Sequence, residues 1–345
     1  MQASTEKSPY TAVQFIAYNI VTDPPFFPFA RPVSLEEDAR LRAWNICNVI
    51  DLCQKFVEPD PQVLKVFLAP EFFFRPVVGV DLPGQPAAAR LYSNDSFNEI
   101  VNIIRKHCRR RRYNDWFIVP GSILSMEFNI VNVPVLMPVT VPMTVPATVP
   151  PMVTPVPVPV PVPVYFNTVA YFYREGGEVN AGFVHKLRFS NIDRLNTAYQ
   201  APLNPLYNEY ITDTNEPISL LGKMQIGIEI CLDHALGTVK KQIQQQGLDW
   251  RWLNIQLLTA CGMMARPEHI RVRNRGYFFR CDGHPNMMGS NLYQILWNGS
   301  TIDMSRQPAP QRRLDLPPEL QIRRDNNQQP AYIHIYPKLD LPGGL

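Results

Sequence analysis

The stretch IGIEICLDHA, Ile226 to Ala235, decides how the rest of the chain is read. Taken with a period of two, Ile226, Ile228, Ile230 and Leu232 make one apolar face of a strand. Gly227, Glu229, Cys231 and Asp233 fall on the other, with His234 just beyond. A strand built for a core thus carries a thiol between two carboxylates, where strand gives way to loop and helix. Ligands of open α/β sheets gather at the carboxyl ends of strands. There the backbone N–H of Leu232 and the start of the next helix favour a thiolate and a negative oxygen. Against that stands the ordinary fate of a lone strand cysteine, which is to be a small buried hydrophobe.

Working outward, AVQFIAYNI (12–20) reads as a strand and SLEEDARLRAWNICNVIDLCQKF (34–56) as a long amphipathic helix, with Ser34 and Glu37 spaced as a capping box. LKVFLAPEFFF (64–74) is a buried strand running into Pro70 and Glu71. SNDSFNEIVNIIRKHCRRRR (93–112) is a second helix whose basic end suits its dipole. DWFIVPGSIL (115–124) and YFNTVAYFYREG (165–176) read as strands, and GFVHKLRFSNID (182–193) as a short strand and loop. Beyond the opening stretch come a helix near 236–247, the strand WLNIQLLTACGM (252–263) and a helix over 267–283. NLYQILWNG (291–299) and AYIHIYPK (331–338) follow. Strands alternating with helices imply an α/β fold whose sheet faces are covered by helices.

The 345 residues are 46% hydrophobic, enough for a sizeable core, and the net charge of +3 singles out no partner. Six cysteines lack a CxxC pair or zinc spacing, which argues for reduced thiols in a cytoplasmic setting. The first residues show no basic region followed by an apolar run, so no secretory signal is expected. Of 35 prolines, 11 lie between Asn132 and Val164, first every fourth residue and then every second. That spacing removes helix hydrogen bonds throughout, so this apolar segment reads as a polyproline-like arm and not as a membrane span. The arginines at 109–112 read as a solvated helix end, not a nucleic-acid site.

Two other residues could answer the thiol. Glu71 ends an apolar strand ahead of three phenylalanines, where burial raises a carboxyl's pKa and readies it to take a proton. Lys186, in GFVHKLRF, would balance Glu71 and stabilise the oxygen of a tetrahedral intermediate. Each signal is weak alone, since strand-end carboxylates and lysines are mostly surface groups.

Together, in the order APEFFF, VHKLRF and GIEICLDHA, the set resembles the nitrilase superfamily, the carbon–nitrogen hydrolases. The resemblance runs from about Val13 to Gly299. It implies a four-layer αββα sandwich over 10–301, with 131–164 as an inserted Pro/Val arm and 302–345 as a tail with a closing strand. It implies Glu71 as general base, Lys186 as oxyanion-stabilising cation and Cys231 as nucleophile, with the Leu232 N–H beside them. LLTACGMM resembles the family's pocket-lining strand, and HIRVRNRGYFF takes the place of a family helix. Such an enzyme needs no metal or organic cofactor. Its implied partners are a small amide or nitrile and a second copy of the chain, as a homodimer or higher oligomer, with neither nucleic acid nor membrane. The arm is open to a protein partner with an aromatic groove.

Departures from the family pattern accompany the match. CLDH replaces steps that carry an aromatic residue after the cysteine. Glu229, aimed by alternation to the face of Cys231, could touch substrate or pair with Arg188 or Arg273, and structural support is the favoured role. Asp233 and Glu209 are further candidate acids for the substrate or oxyanion site. Many members carry another glutamate after the lysine, for which Asp193 and Glu209 are the candidates. Amide hydrolysis is the leading expectation, ahead of nitrile hydrolysis, acyl transfer and a non-enzymatic scaffold that uses the arm.

Overall fold

Alternation along the first strand, β1 (Ala12–Asn19), divides its side chains between two cores: Val13, Phe15 and Ala17 enter one, Ile16 and Tyr18 the other. A strand apolar on both faces needs a layer on each side. The computed structural model shows both layers and describes residues 10–23, 34–76, 91–138, 153–188, 217–221, 224–247, 253–320 and 330–342.

After β1 come α1 (Leu35–Gln54), β2 (Val63–Leu68), α2 (Asn94–Cys108), β3 (Trp116–Val119), β4 (Ser122–Pro138), β5 (Val153–Glu175) and β6 (Glu178–His185). Then follow β7 (Ile218–Leu221), β8 (Met224–Ile230), α3 (Leu232–Leu236), α4 (Thr238–Gln245), β9 (Leu253–Ala260) and β10 (Val272–Asp282). The chain closes through β11 (Gly289–Gln294), the short pair β12 (Leu296–Asn298) and β13 (Thr301–Asp303), β14 (Arg312–Asp315), β15 (Tyr332–Ile335) and β16 (Leu339–Asp340).

In the larger sheet β14, β15, β1, β2 and β3 are neighbours in that order, with β1, β2 and β3 parallel. β3 and β4 both pair antiparallel with β5, whose other edge takes β6. The smaller sheet runs β11, β10, β9, β8, β7, with β8, β9 and β10 parallel.

Between the sheets, Leu64, Val66 and Leu68 of β2 meet Ile226, Ile228 and Ile230 of β8, together with Ile255, Leu257, Tyr277 and Phe279. Outside the larger sheet, α1 and α2 bury Ala43, Ile46, Ile50, Ile100 and Ile104. Ser34 caps α1 by accepting from the Glu37 N–H at 3.1 Å, and Ser93 caps α2 from Ser96 at 3.2 Å. Each such cap contributes about 1 kcal/mol. Outside the smaller sheet, Val239 and Ile243 of α4 pack on Leu258, Ala260 and Phe278. The layers are therefore helix, sheet, sheet, helix: a four-layer αββα sandwich. No helix among the described residues is long and apolar enough to cross a membrane.

The structure corrects several expected elements. The segment 267–283 is not a helix: after a single 3-10 turn, Pro267–His269, it forms β10. There Tyr277, Phe279 and Cys281 face the inner core while Phe278 faces α4, which only a period of two allows. The strand expected at 115–124 is two, β3 and β4. Pairings Ile118↔Phe172 and Ser122↔Val169 leave one extra residue on their side, a bulge at Val119, Pro120 and Gly121. The closing strand expected in the tail is present as β15, which joins the larger sheet by pairing antiparallel with β1 from Ile16↔Ile335 to Asn19↔Tyr332.

The arm is extended but paired, from Ser122↔Val169 to Pro138↔Val153, instead of an unpaired polyproline helix. Pro155, Pro157, Pro159, Pro161 and Pro163 fall opposite Leu136, Pro134, Asn132, Ile130 and Phe128. Alternate residues of an antiparallel pair give no N–H to their neighbour, so prolines kept to one parity leave the ladder bonds to the intervening residues. Residues 139–152 of the arm lie outside the described residues.

Candidate active site

β2, β6 and β8 each end beside the same point, and the residues just past them build the site. Glu71 follows β2 by three residues in a fully buried turn. Its N–H reaches Ala260 O at 3.3 Å, and the next N–H, of Phe72, donates to Ser122 Oγ at 2.9 Å. Phe72 takes a left-handed φ of 63°, costly for a residue with a Cβ. From α1, fully buried Arg42 donates to Phe73 O at 2.9 Å and to Asp38 at 2.8 Å, and Asp38 also accepts from the Tyr92 hydroxyl. The turn that carries Glu71 is thus fixed by both the sheet and the helix layer.

Lys186 is the first residue past β6. Its N–H donates to Asn167 O at 2.8 Å, and its Nζ to Glu71 Oε1 at 2.8 Å. Asn167 Nδ2 donates to the same oxygen at 2.9 Å. All three side chains are fully buried, so the ion pair feels little water and the added amide helps offset its desolvation.

Cys231 follows β8 with φ 45° and ψ −107°, at a cost of about 1–3 kcal/mol for a non-glycine residue. Its N–H donates to Thr259 O at 2.9 Å, and the Thr259 hydroxyl donates to Ala69 O at 2.9 Å, which ties this turn to the strand leading to Glu71. The thiol donates to Cys261 O at 3.7 Å and stands near enough to Glu71 and Lys186 for both charges to act on it. Burial pushes the thiol well above its ordinary range; the Glu71 charge adds to this and Lys186 opposes it. The resting group is therefore a neutral thiol. Cys231 is 3% exposed and Glu71 and Lys186 not at all, so all three groups are buried.

The left-handed turn also decides which side chains share the site. Ile226, Ile228 and Ile230 face the inner core, and alternation would send Cys231 outward with Glu229. The turn instead sends Cys231 inward, so Glu229 does not share its face. Glu229 accepts from the Val239 N–H at 3.1 Å, from Gln256 Nε2 at 2.8 Å and from His234 Nδ1 at 2.5 Å. His234 Nε2 accepts from the Arg266 N–H at 2.9 Å, which places the ring proton on Nδ1. Glu229 thus supports the start of α4, with partners other than Arg188 and Arg273.

Asp233 accepts from the Leu187 N–H at 2.9 Å and the Arg188 N–H at 3.1 Å. Burial pushes its carboxyl up to about 8, against those two donors and Lys186. The Leu232 N–H opens α3, where no preceding helical carbonyl can accept it. Asp193 and Glu209 lie outside the described residues. Among the described residues no group of three His, Cys, Asp or Glu side chains could hold a metal ion. A surface groove lined by Trp44, Asp51, His107 and Arg110 runs along α1 and α2, on the far side of the larger sheet from this site.

Asn167 is the member of the cluster that the sequence reading missed. It shares parity with Val169 and Tyr171, which face the inner core, and a lone amide on such a face was the signal.

No family model matches the sequence, and no curated protein matches it. Solved structures do. One is an amidase from Nesterenkonia sp., at 12% identity and a TM-score of 0.36, covering 96% of this chain and 91% of that one. Another is Saccharomyces cerevisiae Nit3, a member of branch 10 of the nitrilase superfamily, at 11% identity and a TM-score of 0.36, covering 97% and 93%. The glutamine-dependent NAD+ synthetase from Acinetobacter baumannii matches at 11% identity and a TM-score of 0.37, over 93% of this chain and 45% of that one.

Proposed function

We propose that the chain hydrolyses a carbon–nitrogen bond, other than a peptide bond, in a small amide, by way of a thioester on Cys231. The observation that carries this reading is the burial of a carboxylate, an ammonium and a thiol just past three strand ends, with Glu71 bonded to Lys186 at 2.8 Å and both charges acting on the thiol.

Glu71 takes the proton from Sγ, and the thiolate forms a bond to the carbonyl carbon while the carbonyl electron pair moves onto oxygen. The Lys186 ammonium and the Leu232 N–H receive that negative oxygen. As the oxygen pair returns, the C–N bond breaks, and protonated Glu71 gives its proton to the leaving amine or ammonia. A water molecule then loses a proton to Glu71 and attacks the thioester. The acid leaves, and the proton returns to sulfur.

A scaffold without catalysis would gain nothing from a buried acid, amine and thiol, because replacing such an ion pair by apolar side chains is often neutral or stabilising. A nitrile, or an acyl acceptor other than water, would meet the same three groups. Screening small amides, nitriles, carbamoyl amines and glutamine-like compounds for ammonia release, beside the Cys231→Ala variant, tests the reading. Release that depends on Cys231 and is strongest with amides is expected; no release from any compound favours the scaffold.

A further inference from the structure

Asp233 stands two residues past Cys231, in α3, and both of its oxygens are occupied by backbone. Oδ2 accepts from the Leu187 N–H at 2.9 Å and Oδ1 from the Arg188 N–H at 3.1 Å, the two amides directly past Lys186. Lys186 continues a strand of the larger sheet and Cys231 a strand of the smaller one, so this buried carboxyl group joins the two sheets at their catalytic ends. The Lys186 N–H bonds Asn167 O and the Cys231 N–H bonds Thr259 O, each within its own sheet.

Resting on the hydrolase reading above, we propose that Asp233 is a positioning residue for the reaction. It holds residues 187 and 188 against the helix that begins after Cys231, and so sets where the Lys186 ammonium stands relative to the sulfur and to the oxygen that becomes negative beside it. An aspartic side chain suits this task because two adjacent N–H donors meet two oxygens, each of which keeps a lone pair to accept with whether or not the carboxyl carries its proton. An asparagine accepts one of them and turns an N–H toward the other. Asp233 touches neither sulfur nor substrate in this arrangement; it acts through Lys186. The charged groups that bear on it are Lys186, attractive, and Glu229, repulsive.

The test needs no substrate. Alkylation of Cys231 by iodoacetamide is followed against pH in the full chain, for the wild type, D233N, Lys186→Met and the double variant. Burial also pushes the other five thiols up, and they report background. D233N is expected to slow alkylation near pH 7 about tenfold or more, because a cation displaced by a fraction of an ångström no longer holds the thiolate. In the Lys186→Met background the same substitution is expected to change the rate less than about twofold, the sign of a coupled pair. D233S, which is small and keeps one acceptor, gives the same readout if D233N does not fold, and near-UV circular dichroism establishes folding for each variant. A folded variant with the wild-type profile overturns the proposal, and so does an equal loss in the Lys186→Met background, which marks a structural role alone. A wild-type Cys231 no more reactive than the other cysteines overturns the nucleophile reading itself.

Discussion

A thiol beside a carboxylate is useful only if the proton can pass between them, and burial decides when it does. Burial holds Cys231 as a thiol, and Lys186 balances the Glu71 charge in a dry site. Glu71→Gln is expected to lower turnover about a hundred- to ten-thousandfold by removing the base. It also strands a buried ammonium, at a cost to stability of about 3–5 kcal/mol. Adding Lys186→Met should recover much of that stability and none of the turnover. Urea unfolding and steady-state rates of the two variants measure both effects.

Asp233 gives a second residue-scale expectation. Its carboxyl is raised from 3.8 to about 8, so across that range the folded state keeps a proton that the unfolded chain has released. The stability this contributes is complete below 3.8 and is lost as pH rises through 8. Unfolding free energies at pH 5 and pH 8.5 should therefore fall more steeply for the wild type than for D233N. Each of Glu71, Lys186 and Cys231 was a weak signal alone, and what brought them together in the sequence was their order in APEFFF, VHKLRF and GIEICLDHA. The directions of their neighbours were not legible. Alternation predicts direction only while φ stays negative, and the 45° turn at Cys231 separates it from Glu229. The role of Asp233 depends on two backbone amides 45 and 46 residues away, which no local pattern reports.

Elements fail to be read where a glycine or a core replaces a local preference. Gly121 ends the bulge between β3 and β4 with φ 95°, and a Cβ there would lie 2.6 Å from Pro70 O and 2.7 Å from Phe73 Cβ. Both belong to the turn that carries Glu71. Gly121→Ala is therefore expected to destabilise the fold by about 1–3 kcal/mol and to lower turnover as well. An unaltered urea midpoint with unaltered turnover would contradict it. The same residue explains why one expected strand became two. At 267–283 the short apolar run fits helix or strand by pattern alone. The choice was made by packing: Gly276 sits where a Cβ would come 2.6 Å from Asn254 O, which lets β10 lie close against β9.

For the whole molecule, two sheets share one inner core, and the tail completes the larger of them. The sequence placed 302–345 outside the catalytic unit because nothing local ties it to β1. Yet Ile333 and Ile335 are buried against the helix layer and Tyr336 enters the core between the sheets. A chain ending at 301 is expected to lose cooperative unfolding, and Ile333→Ala to cost about 2–5 kcal/mol. Differential scanning calorimetry checks both, and a truncated chain that melts as the full one does would contradict the architecture. In the sequence the sandwich followed from the resemblance, while the residues alone implied an α/β fold with covered sheet faces; β1, apolar on both faces, shows the physical need for a layer on each side.

The most direct measurement is the mass of the Cys231 peptide after an amide that releases ammonia is mixed with the protein and quenched in acid. An acyl adduct on that sulfur, absent from Cys231→Ala and from Glu71→Gln, is the predicted result. Ammonia release that persists in Cys231→Ala, or an adduct on another residue, would contradict it.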